Sequence, residues 1–227
     1  MVDRICILIR HGDYHQLADA PSAHQPFRLT DLGRRQAMDA AERVRQMADQ
    51  HGWSLAAEIH SSSLLRAWET AQIAMQGLPD CQRIVETDRL AERCVGNVAN
   101  LNKSEIAIAV DQDPRLDPLP PNWKSDSHFR LPFLGAESLM ESGRRVADYL
   151  SETMARVVTP GEAILFFGHG ASLRHAAHLL GVLSFERISK LSMHHAVPIA
   201  FSVSSDGLWQ QVAGDWKHRS TQSQRMD

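Results

Sequence analysis

Cysteine is scarce in this chain: Cys6, Cys81 and Cys94 are odd in number, widely spaced and form no Cys-x-x-Cys pair. That usage excludes a disulfide framework and fits a reducing compartment. No apolar run approaches the ~20 residues that a membrane-spanning helix requires. Neither sign of charge dominates. A formal net charge of −3 argues against nucleic acid or an anionic membrane surface as the main partner. A small anionic substrate is still compatible, because a site needs only local positive charge. Repeats and low-complexity tracts are missing as well. The amino end, Met1 to Arg10, has charged residues on both sides of its apolar stretch and no small-residue cleavage site. It is therefore expected to be a first strand and not a secretory signal, and the protein is expected to be soluble and cytoplasmic.

What the chain does contain is enough for a full core: 43% of its 227 residues are hydrophobic and 22% charged, ordinary values for a globular protein. The segment that organises the rest is Ile5 to Gly12. Its apolar residues run without alternation into Arg10-His11-Gly12, which suits a strand buried on both faces. Such a strand would deliver Arg10 and His11 to its carboxyl end, where open α/β sheets place their ligands.

A polar loop follows from Asp13 to Arg28. A helix capped by Thr30 is then marked by Ala37, Ala40, Ala41, Val44, Met47 and Ala48, and Gly52 closes it. Leu55 to His60 reads as a strand running into Ser61, Ser62 and Ser63. A second helix shows Leu64, Trp68, Ala71 and Met75 as its stripe, and Arg83 to Thr87 is a weaker strand. Between about 90 and 135 the pattern loosens. Five of the ten prolines lie between Asp111 and Pro132, so this stretch reads as a lid-like excursion over the sheet's carboxyl edge. Trp123, Phe129 and Phe133 are expected to pack that lid. Regularity returns with a helix from Ser138, a buried strand Ala163 to Phe167, Gly168-His169-Gly170, and a helix with Leu173, Ala176, Ala177 and Leu180 inward. A short helix capped by Ser184 leads to strands Val197 to Ser202 and Leu208 to Ala213, joined around Asp206-Gly207 as a hairpin. The tail from Trp216 is expected to be frayed. The expected fold is a three-layer αβα sandwich with a mostly parallel, mixed central sheet, as one domain over residues 1–227.

Three turns share one design, apolar strand, small residue, then helix: Arg10-His11-Gly12, Ser61 to Ala67 with Arg66, and Gly168-His169-Gly170. Two imidazoles and two guanidiniums at one sheet edge make a cationic pocket suited to a phosphoryl group. Helix N-termini behind the turns are expected to add backbone donors.

With these motifs the chain resembles the histidine phosphatase superfamily, the phosphoglycerate-mutase-like proteins. The resemblance runs from Arg4 to about Val212. It rests on Arg10-His11-Gly12, Leu29-Thr30 with Leu32-Gly33, Ser61-Ser62 with Leu64, Arg66-Ala67 and Thr70-Ala71, Glu92 with Gly96, Gly135 with Glu137-Ser138, and His169-Gly170. It implies that His11 is the nucleophile that becomes phosphorylated and that Arg10, Arg66 and His169 hold the phosphoryl. It implies also that Glu92 protonates the leaving oxygen, with Asp13 and Glu137 as alternatives for that role. No metal or other cofactor is implied. The implied substrate is a phosphorylated small molecule or a phosphoprotein.

Family mutases usually continue Arg-His-Gly with Glu-Ser or Glu-Thr and an Asn a few residues on, where this chain has Asp13-Tyr14 and Leu17. Their Glu-Arg-His-Tyr-Gly corresponds to Glu92-Arg93-Cys94-Val95-Gly96, and Ser63 replaces the usual Pro in the second motif. The opening, the Leu-Thr-x-Leu-Gly-Arg run and the final hairpin are similar to the protein serine/threonine phosphatase branch. The implied activity is therefore phosphomonoester hydrolysis, with a phosphoglycerate-type mutase and a non-catalytic phosphoprotein-binding module as alternatives. His175 and His178 are expected to be ordinary helix residues and not a metal pair. His194-His195 is expected in a loop or the core, with lining of the site as its other reading. Arg93, Lys124 and Arg130 are expected to be solvated charges, and Tyr14 and His15 to border the nucleophile.

Overall fold

Alternate residues of Ile5–Ile9 are buried in two different layers, which is why the run shows no polar alternation. Ile5, Ile7 and Ile9 pack with Ala41, Val44, Ala71 and Ala74. Cys6 and Leu8 pack on the opposite side with Val146, Leu150, Leu173 and Ala177. The computed structural model describes residues 3–17, 19–21, 24–157 and 159–219. In chain order its elements are β1 (Arg4–Arg10), α1 (Asp31–His51), β2 (Ser54–Leu55), β3 (Glu58–Ser62), α2 (Leu65–Met75), β4 (Arg83–Thr87), α3 (Lys103–Asp111), α4 (Leu139–Ala155), β5 (Glu162–Gly168), α5 (Gly170–Leu179), α6 (Phe185–Ile188), β6 (Leu191–Ser192), β7 (Pro198–Val203), β8 (Trp209–Ala213) and β9 (Lys217–His218). None of the described helices is long and apolar enough to cross a membrane.

The main sheet has the order β4-β3-β5-β1-β7-β8, with β2 alongside β5. β3, β4, β5 and β1 run parallel, while β7 and β8 are antiparallel. Helices α1 and α2 cover one face, and α4 and α5 the other. This is the expected three-layer sandwich with a mixed, mostly parallel sheet. Topology places β1 between β5 and β7, so the chain entering or leaving each of those strands lies beside His11.

Four local readings are corrected. The Leu55–His60 strand is two strands, because the 55–60 segment carries more residues than the 163–166 stretch of β5 that it faces. The surplus bulges at Ala57, whose carbonyl accepts the Gln82 and Arg83 amides. Of the stripe expected on α2, Ala71 is buried in the apolar cluster, whereas Leu64, Trp68 and Met75 are only partly buried; the buried side also carries Arg66 and Thr70, because Thr70 accepts the Gly12 amide beside the end of β1. α3 lies in the stretch read as irregular. A capping box of Asn102 and Glu105 starts it, but only Ile106 and Val110 are buried, so its stripe is too thin to register as helical. The tail is not frayed at its start: Trp216 is buried and β9 pairs with β6. The rest of that tail, 220–227, lies outside the described residues. The excursion has its own apolar cluster of Val95, Val98, Ile106, Trp123, Leu131 and Ala136, against which Phe129 and Phe133 pack as expected.

The amino end of α1 is pressed against the turn after β1. Thr30 accepts the Gly33 amide at 3.1 Å as N-cap and donates to the Asp13 carboxylate at 2.6 Å. A Cβ on Gly33 would stand 1.9 Å from the Asp13 carbonyl oxygen, and one on Gly12 would stand 2.5 Å from the Gly33 carbonyl oxygen. Gly33→Ala must therefore move backbone, and is expected to cost about 1–3 kcal/mol of stability, as overpacking does. Urea denaturation checks this; a midpoint equal to the parent's would contradict the close approach.

Candidate active site

His11 follows directly from β1, and its amide donates to the Gly168 carbonyl at 3.0 Å. Its side chain is buried, with Nδ1 2.7 Å from the Gly12 carbonyl oxygen. A carbonyl only accepts, so Nδ1 carries the proton and Nε2 keeps its lone pair. The Gly12 amide donates to Thr70 Oγ1 at 3.0 Å, and that hydroxyl donates to the Arg66 carbonyl at 2.6 Å. A chain of bonds thus ties the turn after β1 to α2.

The other residues expected at the site converge here. The rings of His11 and His169 have centroids 5.1 Å apart. His169 is fully buried, and its Nε2 lies 2.9 Å from Ser62 Oγ at the end of β3. Arg66, also fully buried, donates to the Gln25 carbonyl at 3.1 Å and lies 4.7 Å from the centre of the Tyr14 ring. Arg10 donates to the Met193 carbonyl at 3.0 Å. A Cβ on Gly170 would stand 3.2 Å from Cδ and Nε of Arg10, so the glycine after His169 leaves room for that side chain.

Burial, then the Arg66 guanidinium, the adjacent His169 ring and the Arg10 guanidinium, hold the His11 imidazole well below its ordinary pKa. Burial likewise, followed by Arg66, holds His169 low. The cost of burying a charge is what keeps these rings neutral. A neutral His11 with a bare Nε2 is a competent nucleophile.

Glu92 is half-buried in the segment entering the lid. One carboxylate oxygen accepts the Ser172 amide at 3.0 Å and the Arg93 amide at 2.9 Å, and the other accepts the Ala171 amide at 3.1 Å. The amides at the start of α5 are therefore not additional donors for an anion, as the sequence had suggested. They hold Glu92, because a carboxylate complements the positive end of a helix. The alternative acids are turned elsewhere. Asp13 accepts from Thr30. Glu137 receives Arg145 at 2.9 and 2.8 Å; burial would raise its pKa, but that guanidinium and the Cys94 amide hold it low.

Several side chains differ from their sequence readings. Arg93 is buried, not solvated, with Glu92 and Glu137 as its nearest charges. Arg130 is an exposed partner of Glu141 at 3.4 Å, as a solvated charge should be, and Lys124 is half-buried. Tyr14 is buried beside His11, with the two rings edge-on and their centroids 5.3 Å apart, while His15 is exposed. His175 donates from Nδ1 to the Ala171 carbonyl at 2.8 Å and meets Ser127 through Nε2 at 3.1 Å. His178 bonds the Leu183 carbonyl at 2.9 Å. Sequence reasoning assigned no role to Gln25, Ser62 or Thr70. The last two stand in the quoted motifs, whereas Gln25 acts through its carbonyl and leaves no side-chain signal.

Over residues 6–214 the sequence matches the family model described as histidine phosphatase superfamily (branch 1). The 2,3-bisphosphoglycerate-dependent phosphoglycerate mutase of Methylocella silvestris is 30% identical over 209 residues, covering 90% of this chain and 95% of that protein. The 2,3-bisphosphoglycerate-dependent phosphoglycerate mutase 2 of Gloeobacter violaceus is 26% identical over 211 residues, covering 92% and 90%. A solved structure of a mycobacterial glucosyl-3-phosphoglycerate phosphatase has the same fold, with a TM-score of 0.68 at 21% identity over 92% of this chain and 97% of that one.

Buried imidazoles also set a pH dependence. Burial lowers His60 to about 4, and lowers His175 and His195 to about 3; His11 and His169 shift the same way. In the unfolded chain these groups protonate near pH 6.5. Their contribution is fully present above about pH 6.5 and is lost as pH falls towards the folded values. The thermal midpoint is expected to drop from pH 6.5 to 4, with protons taken up on unfolding. Calorimetry across that range checks it, and a constant midpoint would contradict the assignment.

Proposed function

Since this chain belongs to the histidine phosphatase superfamily, whose members handle phosphoryl groups, we propose that it is a phosphomonoester hydrolase working through a phosphohistidine on His11. The observation that carries this reading is the Nδ1 bond from His11 to the Gly12 carbonyl, which leaves Nε2 as a buried lone pair among Arg10, Arg66 and His169. In the first step Nε2 attacks phosphorus while the ester P–O bond breaks, and Glu92 gives its proton to the departing oxygen. Arg10, Arg66 and His169 hold the equatorial oxygens as charge spreads over them. In the second step water attacks phosphorus, Glu92 takes a proton from it, the P–N bond breaks, and His11 returns to its starting tautomer. A side-chain nucleophile replaces metal-activated water, so the reaction needs no metal.

Hydrolysis is favoured over transfer by the surroundings of the pocket. A mutase must hold a second anionic group while the phosphoryl group changes position. Here Leu17, at the position of the usual Asn, is an exposed aliphatic side chain, and Val95 is buried in the apolar cluster of the excursion. Cys94 Sγ accepts the Gly96 amide at 3.3 Å within its own turn. The names of the curated relatives favour a second reading, a phosphoglycerate mutase. Trapped products separate the two: a mutase converts a phosphoglycerate into its isomer, a phosphatase releases inorganic phosphate.

With p-nitrophenyl phosphate the parent is expected to turn over equally well with and without chelator. His11→Ala should lose at least 10³-fold in kcat, as removal of a covalent nucleophile does, and retained activity would end this reading. Glu92→Gln should lose roughly 10²-fold or more on esters with poor leaving groups and less on p-nitrophenyl phosphate, whose leaving group needs no proton. Phosphate binding without any turnover would instead assign a binding module.

A further inference from the structure

A third imidazole stands at the nucleophile, and the phosphohistidine mechanism as written gives it no part. β1 lies between β5 and β7 in the sheet. β5 runs parallel to β1 and ends beside it at His169, whereas β7 is antiparallel and therefore begins at the same edge. The residues entering β7 include His195, so His11 is flanked by an imidazole on each side. The rings of His11 and His195 have centroids 5.6 Å apart at an interplanar angle of 32°, nearly as close as His11 and His169.

The backbone holds His195 in that place. Residues 10 and 195 form a parallel bridge, and the Ala196 amide donates to the Arg10 carbonyl at 2.8 Å. Ala196 adopts φ = 54°, a left-handed conformation that costs energy for a residue with a Cβ. The Met193 carbonyl, two residues before His195, receives the Arg10 guanidinium. Behind this loop β9 pairs with β6, and the Arg219 amide donates to the Lys190 carbonyl at 2.9 Å.

Nε2 of His195 is buried and has no hydrogen-bond partner among the described residues. A buried ring nitrogen without a partner is costly unless something not present in the protein alone completes it. Among the described residues, the charged and titratable groups that act on the ring are Arg10, His11, His194 and Lys217, a cationic and imidazole neighbourhood without a carboxylate. What such a place completes is an anion oxygen.

We propose that His195 is a further phosphoryl-binding residue, donating from Nε2–H to an oxygen of the group carried by His11, on the side opposite His169. The inference rests on the phosphoryl-transfer reading of this site but not on which acceptor, water or alcohol, receives the group. As a neutral donor, His195 binds the phosphoryl without adding another positive charge to a pocket that already holds Arg10 and Arg66.

The test uses the full chain, with orthovanadate as probe for binding and p-nitrophenyl phosphate for turnover. His195→Phe keeps the ring's bulk and removes the donor; His195→Gln restores an N–H. Calorimetric vanadate affinity of His195→Phe should fall roughly ten- to a hundredfold, the range for one hydrogen bond to a charged group. kcat/KM should fall with it, and His195→Gln should recover part of both. Affinity unchanged in His195→Phe overturns the proposal, as does equal weakening in both variants, which would mark a packing role. Should His195→Phe not fold, ring ¹⁵N NMR of the parent decides. The Nε2 signal of His195, assigned by its disappearance in His195→Gln, must shift when phosphate is added, and an unmoved signal overturns the assignment. A parent that binds vanadate without hydrolysing esters removes the hydrolase reading and leaves the His195 test intact. A parent that hydrolyses esters alongside an unaffected His195→Phe does the reverse.

Discussion

Everything in the site depends on one hydrogen bond, from His11 Nδ1 to the carbonyl of the next residue. It decides which ring nitrogen holds the proton and so which one keeps its lone pair for the proposed attack. The backbone that supplies this carbonyl is held where Gly12 and Gly33 meet backbone to backbone. Thr30 and Asp13 secure the contact from one side, while Thr70 receives the Gly12 amide from the other. The helix following the first loop and the helix following β3 thus both serve the orientation of one imidazole.

A second constraint is electrostatic. Arg10 and Arg66 are brought next to imidazoles whose burial keeps them uncharged. Backbone carbonyls of Met193 and Gln25 receive the guanidiniums, and the Tyr14 ring lies against Arg66. Glu92 is held apart from this group at the start of α5, where three amides take its oxygens. A carboxylate placed among these cations and imidazoles would repel an anionic substrate, which the contacts at the helix end avoid. Because His169 caps α5, the same helix positions the proposed phosphoryl ligand and the proposed acid.

The excursion between Leu90 and Gly135 has an apolar cluster of its own and is attached near the site through Glu92, Glu137 and the Ser127–His175 contact. Substrate preference is expected to be set there.

Much of this was legible in the amino-acid order. An unalternating apolar run must be buried on both faces, so Ile5–Ile9 identified the central strand. Thr30, Ala37 to Val44 and Gly52 marked α1 from cap to cap, and the repeated strand–turn–helix design nominated Arg10, His11, Arg66 and His169. These features are local, since capping, periodicity and turn chemistry act over a few residues. The sequence could not show that α2 turns Arg66 and Thr70 inward, because burial of a polar face is visible only when the pocket it faces exists. Nor could it show Gln25 acting through its carbonyl, the helix amides claimed by Glu92, or the tail pairing with Leu191–Ser192. His195 shows the difference most clearly. On the chain it is one of two adjacent histidines far from His11, with a place in the loop or core and lining of the site as its two readings; only an antiparallel strand beginning at the edge where β1 ends decides between them.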